Sequence, residues 1–178
     1  MKTKKKKIIG IFGGSFDPPH KGHLKISTAS VKLLNLDKLH WIVTKKNPFK
    51  KKPFFSLNAR IHKSKTITKK NKKIKVSYLD DKIRSTKTIK VVNYLVKKNK
   101  NCTFFLIIGS DSLVNFHRWN QWRKIAKFCK IVVFSRKGFD NRAKKSKIFK
   151  KLPENRIMFI KNSKIDISSS QLRKYYLK

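Results

Sequence analysis

The stretch that most limits how this chain can fold is a short apolar run, Ile8–Phe12, that stops at Gly13-Gly14 and continues as Ser15-Phe16-Asp17-Pro18-Pro19-His20-Lys21-Gly22-His23. An apolar run bounded by turn residues reads as a buried strand. From His23, Leu24, Ile26, Val31, Leu33 and Leu34 recur at helical spacing, and Asn35 ends the helix. Strand, glycine turn and helix in that order open an α/β unit with a parallel sheet.

The rest of the chain repeats the alternation. Strands are expected at Leu39–Thr44, Ile74–Leu79, Phe104–Ile108, Ile131–Ser135 and Ile157–Ile160. Helices are expected at Leu57–Thr68, with Leu57, Ile61 and Ile67 inward, and at Thr86–Lys97, built on Ile89, Val92, Leu95 and Val96. Two more follow at Trp119–Phe128 and Ser168–Leu177. Lys45–Ser56, with two prolines and many lysines, is a loop long enough to be functional. Arg136–Pro153 is polar and basic and reads as a mobile loop. No internal repeat is present. The pattern is that of one doubly wound parallel sheet in a single domain, 1–178. Such sheets bind ligands beyond the carboxyl ends of their strands, so functional residues are expected after Phe12, Thr44, Ile108 and Ser135.

Composition narrows the partners less than its extremity implies. Lys+Arg 48 against Asp+Glu 8 gives a formal net charge of +40, which favours anionic partners such as nucleotides, nucleic acid or acidic membranes. The lysines are scattered along the whole chain and accompany an excess of Ile, Asn and Phe, as AT-rich coding produces. No specific nucleic-acid partner is therefore expected. Cys102 and Cys129 stand apart in apolar runs, without CxxC company, so neither a disulfide scaffold nor a zinc site follows. Both read as core residues in a reducing compartment. Met1–Lys7 is basic, but the apolar run after it is too short for a signal peptide, and none approaches the ~20 residues that span a bilayer. A cytoplasmic protein with no membrane partner is expected; a homo-oligomer is compatible with the sequence.

The glycine turn carries the chemistry. Gly13 and Gly14 allow the backbone to approach a nucleotide, and the following helix aims its N-terminal amides at phosphate. His20 and His23, three apart at that helix start, turn their rings to one side, and Gly22 between them leaves room for a ligand. Two imidazoles converging with a helix N-terminus suit a triphosphate and the charge that grows on it. A glycine turn before a histidine-capped helix would satisfy the same residues without a ligand. Neither a Walker P-loop nor a GxGxxG fingerprint occurs.

The run from Gly13 to His23 resembles the signature of the nicotinate-mononucleotide adenylyltransferase family, within the HxGH nucleotidyltransferases. Branches acting on phosphopantetheine or nicotinamide mononucleotide continue as Pro-Ile-Thr or Pro-Phe-His where this chain has Asp17-Pro18-Pro19-His20. Further blocks match in order over nearly the whole chain. Asn47-Pro48-Phe49-Lys50 is similar to the family's loop after the second strand, which makes Lys50, or its neighbours Lys51 and Lys52, a phosphate contact. Ser85-Thr86-Lys87-Thr88 lies where the family has Tyr-Thr-x-x-Thr near the pyridine carboxylate; Ser85 takes the first Thr and Arg84 the Tyr, and Thr88 also serves as a helix start. Gly109-Ser110-Asp111 resembles the family's Gly-Ala-Asp, with Asp111 toward the adenosine ribose. Trp119 downstream would face the pyridinium ring or, alternatively, the core, with Trp122 as the core-facing member. Ile167-Ser168-Ser169-Ser170-Gln171-Leu172-Arg173 resembles a phosphate-binding helix start, and Ser168 with Gln171 also fits a capping box. Arg136-Lys137-Gly138 is similar to the family's Arg-x-Gly.

The resemblance implies a Rossmann-like nucleotidyltransferase fold with a short C-terminal helical segment, and adenylyl transfer from ATP to nicotinate mononucleotide in NAD biosynthesis. His20 and His23 would be catalytic. Gly13, Gly14, Ser15, Phe16, Gly22, Gly109, Asp111, Ser168, Ser169, Ser170 and Arg173 would join them around ATP. Asp17, Lys50, Ser85, Trp119 and Arg136 would bind the acceptor. Mg2+ would arrive with ATP, since the sequence offers no carboxylate cluster to hold it. Another acceptor on the same fold, a fragment like a class I aminoacyl-tRNA synthetase, and a basic nucleic-acid-binding protein remain as alternatives.

Overall fold

The computed structural model describes residues 6–47, 52–161, 169, 172 and 173. Lys50, Lys51, Ser168, Ser170 and Gln171 lie outside the described residues, as does most of the expected helix Ser168–Leu177; its described members Ser169, Leu172 and Arg173 are helical.

Among the described residues, six strands form one all-parallel sheet: β1 (Lys7–Gly14), β2 (Lys38–Val43), β3 (Ile74–Ser77), β4 (Cys102–Gly109), β5 (Cys129–Phe134) and β6 (Ile157–Ile160), in the order β3-β2-β1-β4-β5-β6. The apolar strand runs follow from burial on both faces. Along β5, Ile131 and Val133 enter one core cluster while Val132 and Phe134 enter the other. Among the described residues, the helices α1 (Lys21–Leu33) and α2 (Leu57–Thr68) cover the second face. The first is covered by α3 (Thr88–Lys98), α4 (Ser110–Val114), α5 (Trp122–Phe128), α6 (Asp140–Lys144) and α7 (Lys147–Lys151). Strand order reverses between β1 and β4, so the crevice that binds ligands in such sheets opens where Gly13-Gly14 and Gly109 end their strands. Among the described residues, no helix is long and apolar enough to cross a membrane.

Several elements differ from the pattern in the sequence. Arg136–Pro153 is not a loop: it forms α6 and α7, which bury Ala143 and Ile148 in the core. Ser146 caps α7 by accepting the Phe149 N–H. The expected helix Trp119–Phe128 begins only at Trp122. Phe116–Arg118 is a 3-10 turn, Trp119 is extended, and Gln121 adopts a left-handed conformation that breaks the register. Leu33 is 62% exposed rather than inward, because the last turn of α1 hands the core to Leu34 and Leu36. On α2 the most buried stripe is polar. Arg60, Ser64 and Thr68, spaced i, i+4, i+8, face inward, while Leu57, Ile61 and Ile67 pack only at the margin.

Candidate active site

Two chambers meet at the carboxyl edge of β1 and β4. The larger, about 900 Å³, is bordered by the turn 13–17, His20, His23, Asp111, Arg136 and Arg173. The smaller, about 310 Å³, is bordered by Thr44, Lys46, Asp80, Thr86, Lys87 and Arg118. Gly13, Gly14, Asn47, Ile108 and Trp119 belong to both. A Cβ placed on Gly13 would meet nothing within 4 Å, so its bare backbone faces the open junction.

The helix start fixes both imidazoles. His20 is the N-cap of α1, and its Nδ1 accepts the Gly22 N–H at 3.1 Å. The His20 N–H donates to Nδ1 of His23 at 3.2 Å. A neutral ring whose Nδ1 accepts carries its proton on Nε2, so both rings are set as Nε2–H donors. Their centroids lie 3.7 Å apart, 34° from parallel. Burial, with the Arg136 charge second, pushes the His20 pKa down to about 4, which keeps that ring neutral. Behind His23 stand Phe16 at 5.0 Å and Phe12 and Trp41 at 6.1 Å. Phe16 is 3% exposed, with φ of +47°, and its ring stands against His23 at the border of the larger chamber.

Charged residues at the other strand ends hold one another. Arg136 donates to Asp111 Oδ2 at 2.6 Å. Its backbone N–H is held by Ser110 Oγ at 3.0 Å and Asp140 Oδ1 at 2.9 Å, and Asp140 also accepts the Ser135 hydroxyl. A Cβ on Gly109 would collide with the Asp111 carboxylate, so glycine at the end of β4 is what lets that side chain fold back over the strand. Arg173 donates to the Asp17 carbonyl at 2.7 Å, and Ser169 donates to the Pro18 carbonyl at 3.0 Å, which brings these two residues onto the chain that follows the glycine turn.

Two expected acceptor contacts are placed differently. The Asp17 carboxylate is buried and accepts the Phe54 and Phe55 N–H groups, each at 2.8 Å, with Arg173 at 3.4 Å. Engaged in this way, it anchors the loop after β2 at the border of the larger chamber. Ser85 does not border either chamber. The turn Asp80–Ser85, with Arg84 at φ +48°, directs its hydroxyl onto the Lys87 N–H at 3.1 Å, and Thr86, Lys87 and Thr88 line the smaller chamber instead. The N-terminus of α3, without a side-chain cap, borders that chamber through Lys87 and Thr88 and brings the helix's partial positive charge to its edge. Trp119 borders both chambers and packs on Phe116 at 5.1 Å; Trp122 is farther from that ring, at 6.4 Å. Sequence patterning passed over Arg60, Asp80 and Asp140. The available signal was their type: eight arginines among forty lysines, and eight carboxylates in all, are scarce residues here.

The model of the "Cytidylyltransferase-like" family matches residues 11–175. A protein of Pelagibacter ubique named "Probable nicotinate-nucleotide adenylyltransferase" is 46% identical over 172 residues, covering 97% of this chain and 95% of its own. A Brucella suis protein of the same name is 30% identical over 96% of both chains. The solved Plasmodium falciparum nicotinic acid mononucleotide adenylyltransferase complexed with NaAD has the same fold, with a TM-score of 0.77 at 24% identity over 95% of this chain and 83% of that one.

Proposed function

This chain belongs to the cytidylyltransferase-like family, in its nicotinate-nucleotide adenylyltransferase branch, and from that premise we infer that it transfers the adenylyl group of ATP to nicotinate mononucleotide, releasing pyrophosphate and nicotinate adenine dinucleotide. The observation that carries the reading is the pair of chambers joined at Gly13-Gly14 beneath two Nε2–H donors. One chamber has the size and cationic rim for a nucleoside triphosphate. The other has an aromatic wall, Trp119, and an electropositive end formed by the α3 N-terminus, Lys46 and Arg118, which suits a pyridine bearing a carboxylate.

The chemistry needs no protein nucleophile. With ATP in the larger chamber and the mononucleotide in the smaller, the 5′-phosphate faces the α-phosphorus across the glycine turn. Its oxygen attacks in line, the bond to the β-phosphate oxygen breaks, and pyrophosphate leaves with that electron pair. His20 and His23 hold their Nε2 protons against the α- and β-phosphate oxygens as charge builds there. Arg173, steadied by the Asp17 carbonyl, and the Ser168–Ser170 segment neutralise the departing pyrophosphate. Arg136 would exchange its Asp111 partner for phosphate, leaving Asp111 to accept the ribose hydroxyls.

Among the described residues, no cluster of three or more His, Cys, Asp or Glu side chains could hold a metal ion, and the cleft carboxylates Asp17 and Asp111 are already engaged. Mg2+ would arrive with ATP, carried on its phosphates. Lys50 remains a candidate phosphate contact on the acceptor side.

The test is pyrophosphate release from ATP with nicotinate mononucleotide, nicotinamide mononucleotide and phosphopantetheine side by side. Nicotinate mononucleotide should be preferred by about tenfold or more, or about 1.4 kcal/mol of discrimination. Better turnover of phosphopantetheine, or equal turnover of the amide, would reject this acceptor.

A further inference from the structure

Arg60 is an arginine in a chain whose lysines outnumber its arginines forty to eight. It sits on α2, outside both chamber linings, and its residue is 2% exposed. Its guanidinium donates from Nη1 to the Ser15 carbonyl at 2.6 Å and the Thr44 carbonyl at 2.8 Å. Nε donates to the Phe55 carbonyl at 3.1 Å, and Nη2 to the Lys45 carbonyl at 3.3 Å. One planar fork thus joins the phosphate turn, the exit of β2 and the far end of the loop that follows it.

Two buried aspartates complete the clasp from the opposite side of the same peptides. Asp80, 4% exposed, accepts the Lys45 N–H at 2.7 Å and the Thr44 hydroxyl at 2.8 Å through Oδ2. Asp17, 5% exposed, accepts the Phe55 N–H. Lys45 and Phe55 are therefore each held by their N–H on a carboxylate and by their C=O on Arg60. Residues of this strap, Thr44, Lys46 and Asn47 on one side and Pro53 and Phe54 on the other, border the chambers. A lone, half-paired arginine would be costly to bury; here two carboxylates and four carbonyls surround it.

We propose that Arg60 is a positioning residue for adenylyl transfer, holding the strap after β2 in register with the Gly13–Phe16 turn so that the acceptor phosphate meets the α-phosphorus. The role rests on the reading of this cleft as an adenylyltransferase site. Lysine cannot replace it: an ammonium carries the charge but not a rigid fork that reaches four carbonyls in three segments. A small displacement of the acceptor relative to ATP is enough to lower the rate, because the gain from holding two reactants together depends on their alignment.

The experiment compares the parent protein with Arg60→Lys and Arg60→Met, measuring pyrophosphate release over a range of both substrates and, separately, equilibrium binding of a non-hydrolysable ATP analogue. In Arg60→Lys the KM for nicotinate mononucleotide should rise by about tenfold or more, while binding of the ATP analogue stays within about threefold. KM is independent of how much of the sample is folded, so simple loss of stability would not produce this split. Should Arg60→Lys fail to fold at the assay temperature, Asp80→Asn loosens the same Lys45 anchorage and should raise the same KM. An active parent whose variants keep both constants within about threefold, or lose both equally, overturns the positioning role alone. A parent that releases no pyrophosphate with this acceptor overturns the adenylyltransferase reading, and the role of Arg60 with it.

Discussion

In the proposed mechanism, each imidazole at the start of α1 serves the helix and the chemistry with different nitrogens. Nδ1 of His20 caps Gly22, Nδ1 of His23 receives the His20 N–H, and Nε2 is left to carry the proton toward phosphate. Alanine would therefore remove a cap as well as a donor, at about 0.5–2 kcal/mol of stability for the cap alone. His20→Asn separates the two, since asparagine caps as well but cannot reach as an imidazole does. Its rate of pyrophosphate release at saturating substrates should fall ~10²–10³-fold, with a melting temperature close to the parent's. A rate within about threefold of the parent would take His20 out of the chemistry.

Histidine burial also shapes stability against pH. Burial first, and then Arg136, holds His20 down to about 4; burial first, and then Lys38, Lys75 and Lys98, does the same to His40. Unfolding restores both to about 6.5. Above that value neither state binds the proton. Between 6.5 and about 4 the unfolded chain binds protons that the folded chain refuses, so stability falls as pH falls through that window. Melting temperatures in one buffer series should be level above pH ~6.5 and decline toward pH ~4, and His40→Gln should shallow the decline. A curve that stays level or rises on acidification contradicts the burial of these rings.

At the scale of elements, the strands were legible because burial on both faces leaves long apolar runs, and β6 and α2 begin and end where the pattern places them. What escaped was short or locally overruled. The segment after β5 looked polar because α6 and α7 contribute only a few buried side chains, chiefly Ala143 and Ile148. The start of α5 was misplaced because Trp119, Trp122 and Ile125 keep a helical spacing that the left-handed Gln121 interrupts. The interruption has a use: an extended Trp119 turns its ring to the chamber junction instead of stacking along a helix. Trp119→Ala should then weaken use of the mononucleotide by ~1–3 kcal/mol while ATP affinity changes little. Some loss of melting temperature is expected from the contact with Phe116. Equal loss of ATP binding would make Trp119 a core residue only. The same local control bears on Ser85: the resemblance implies a place near the acceptor, whereas Arg84 is left-handed and Thr86, Lys87 and Thr88 line the smaller chamber.

Over the whole molecule, the glycine turn and its two histidines could be found in the sequence because strand, turn and helix are contiguous. The clasp around them could not, since Arg60, Asp17 and Asp80 come from separate elements and meet only after folding. Scarcity points to them: in a chain with a net charge of +40, Asp17, Asp80, Asp111 and Asp140 all stand at the carboxyl edge of the sheet, holding loops and arginines there. They border or brace the two chambers, and in the proposed mechanism the chambers bring both substrates to one junction. The central claim is that transfer across this junction is direct, from ATP to the mononucleotide, with His20 and His23 as donors and never as nucleophiles. Turnover of nicotinate mononucleotide with ATP bearing sulfur at one α-oxygen, in a single known configuration, tests it. A single in-line displacement predicts a dinucleotide with inverted configuration at that phosphorus; retention would mean an adenylylated enzyme intermediate, and would contradict the account.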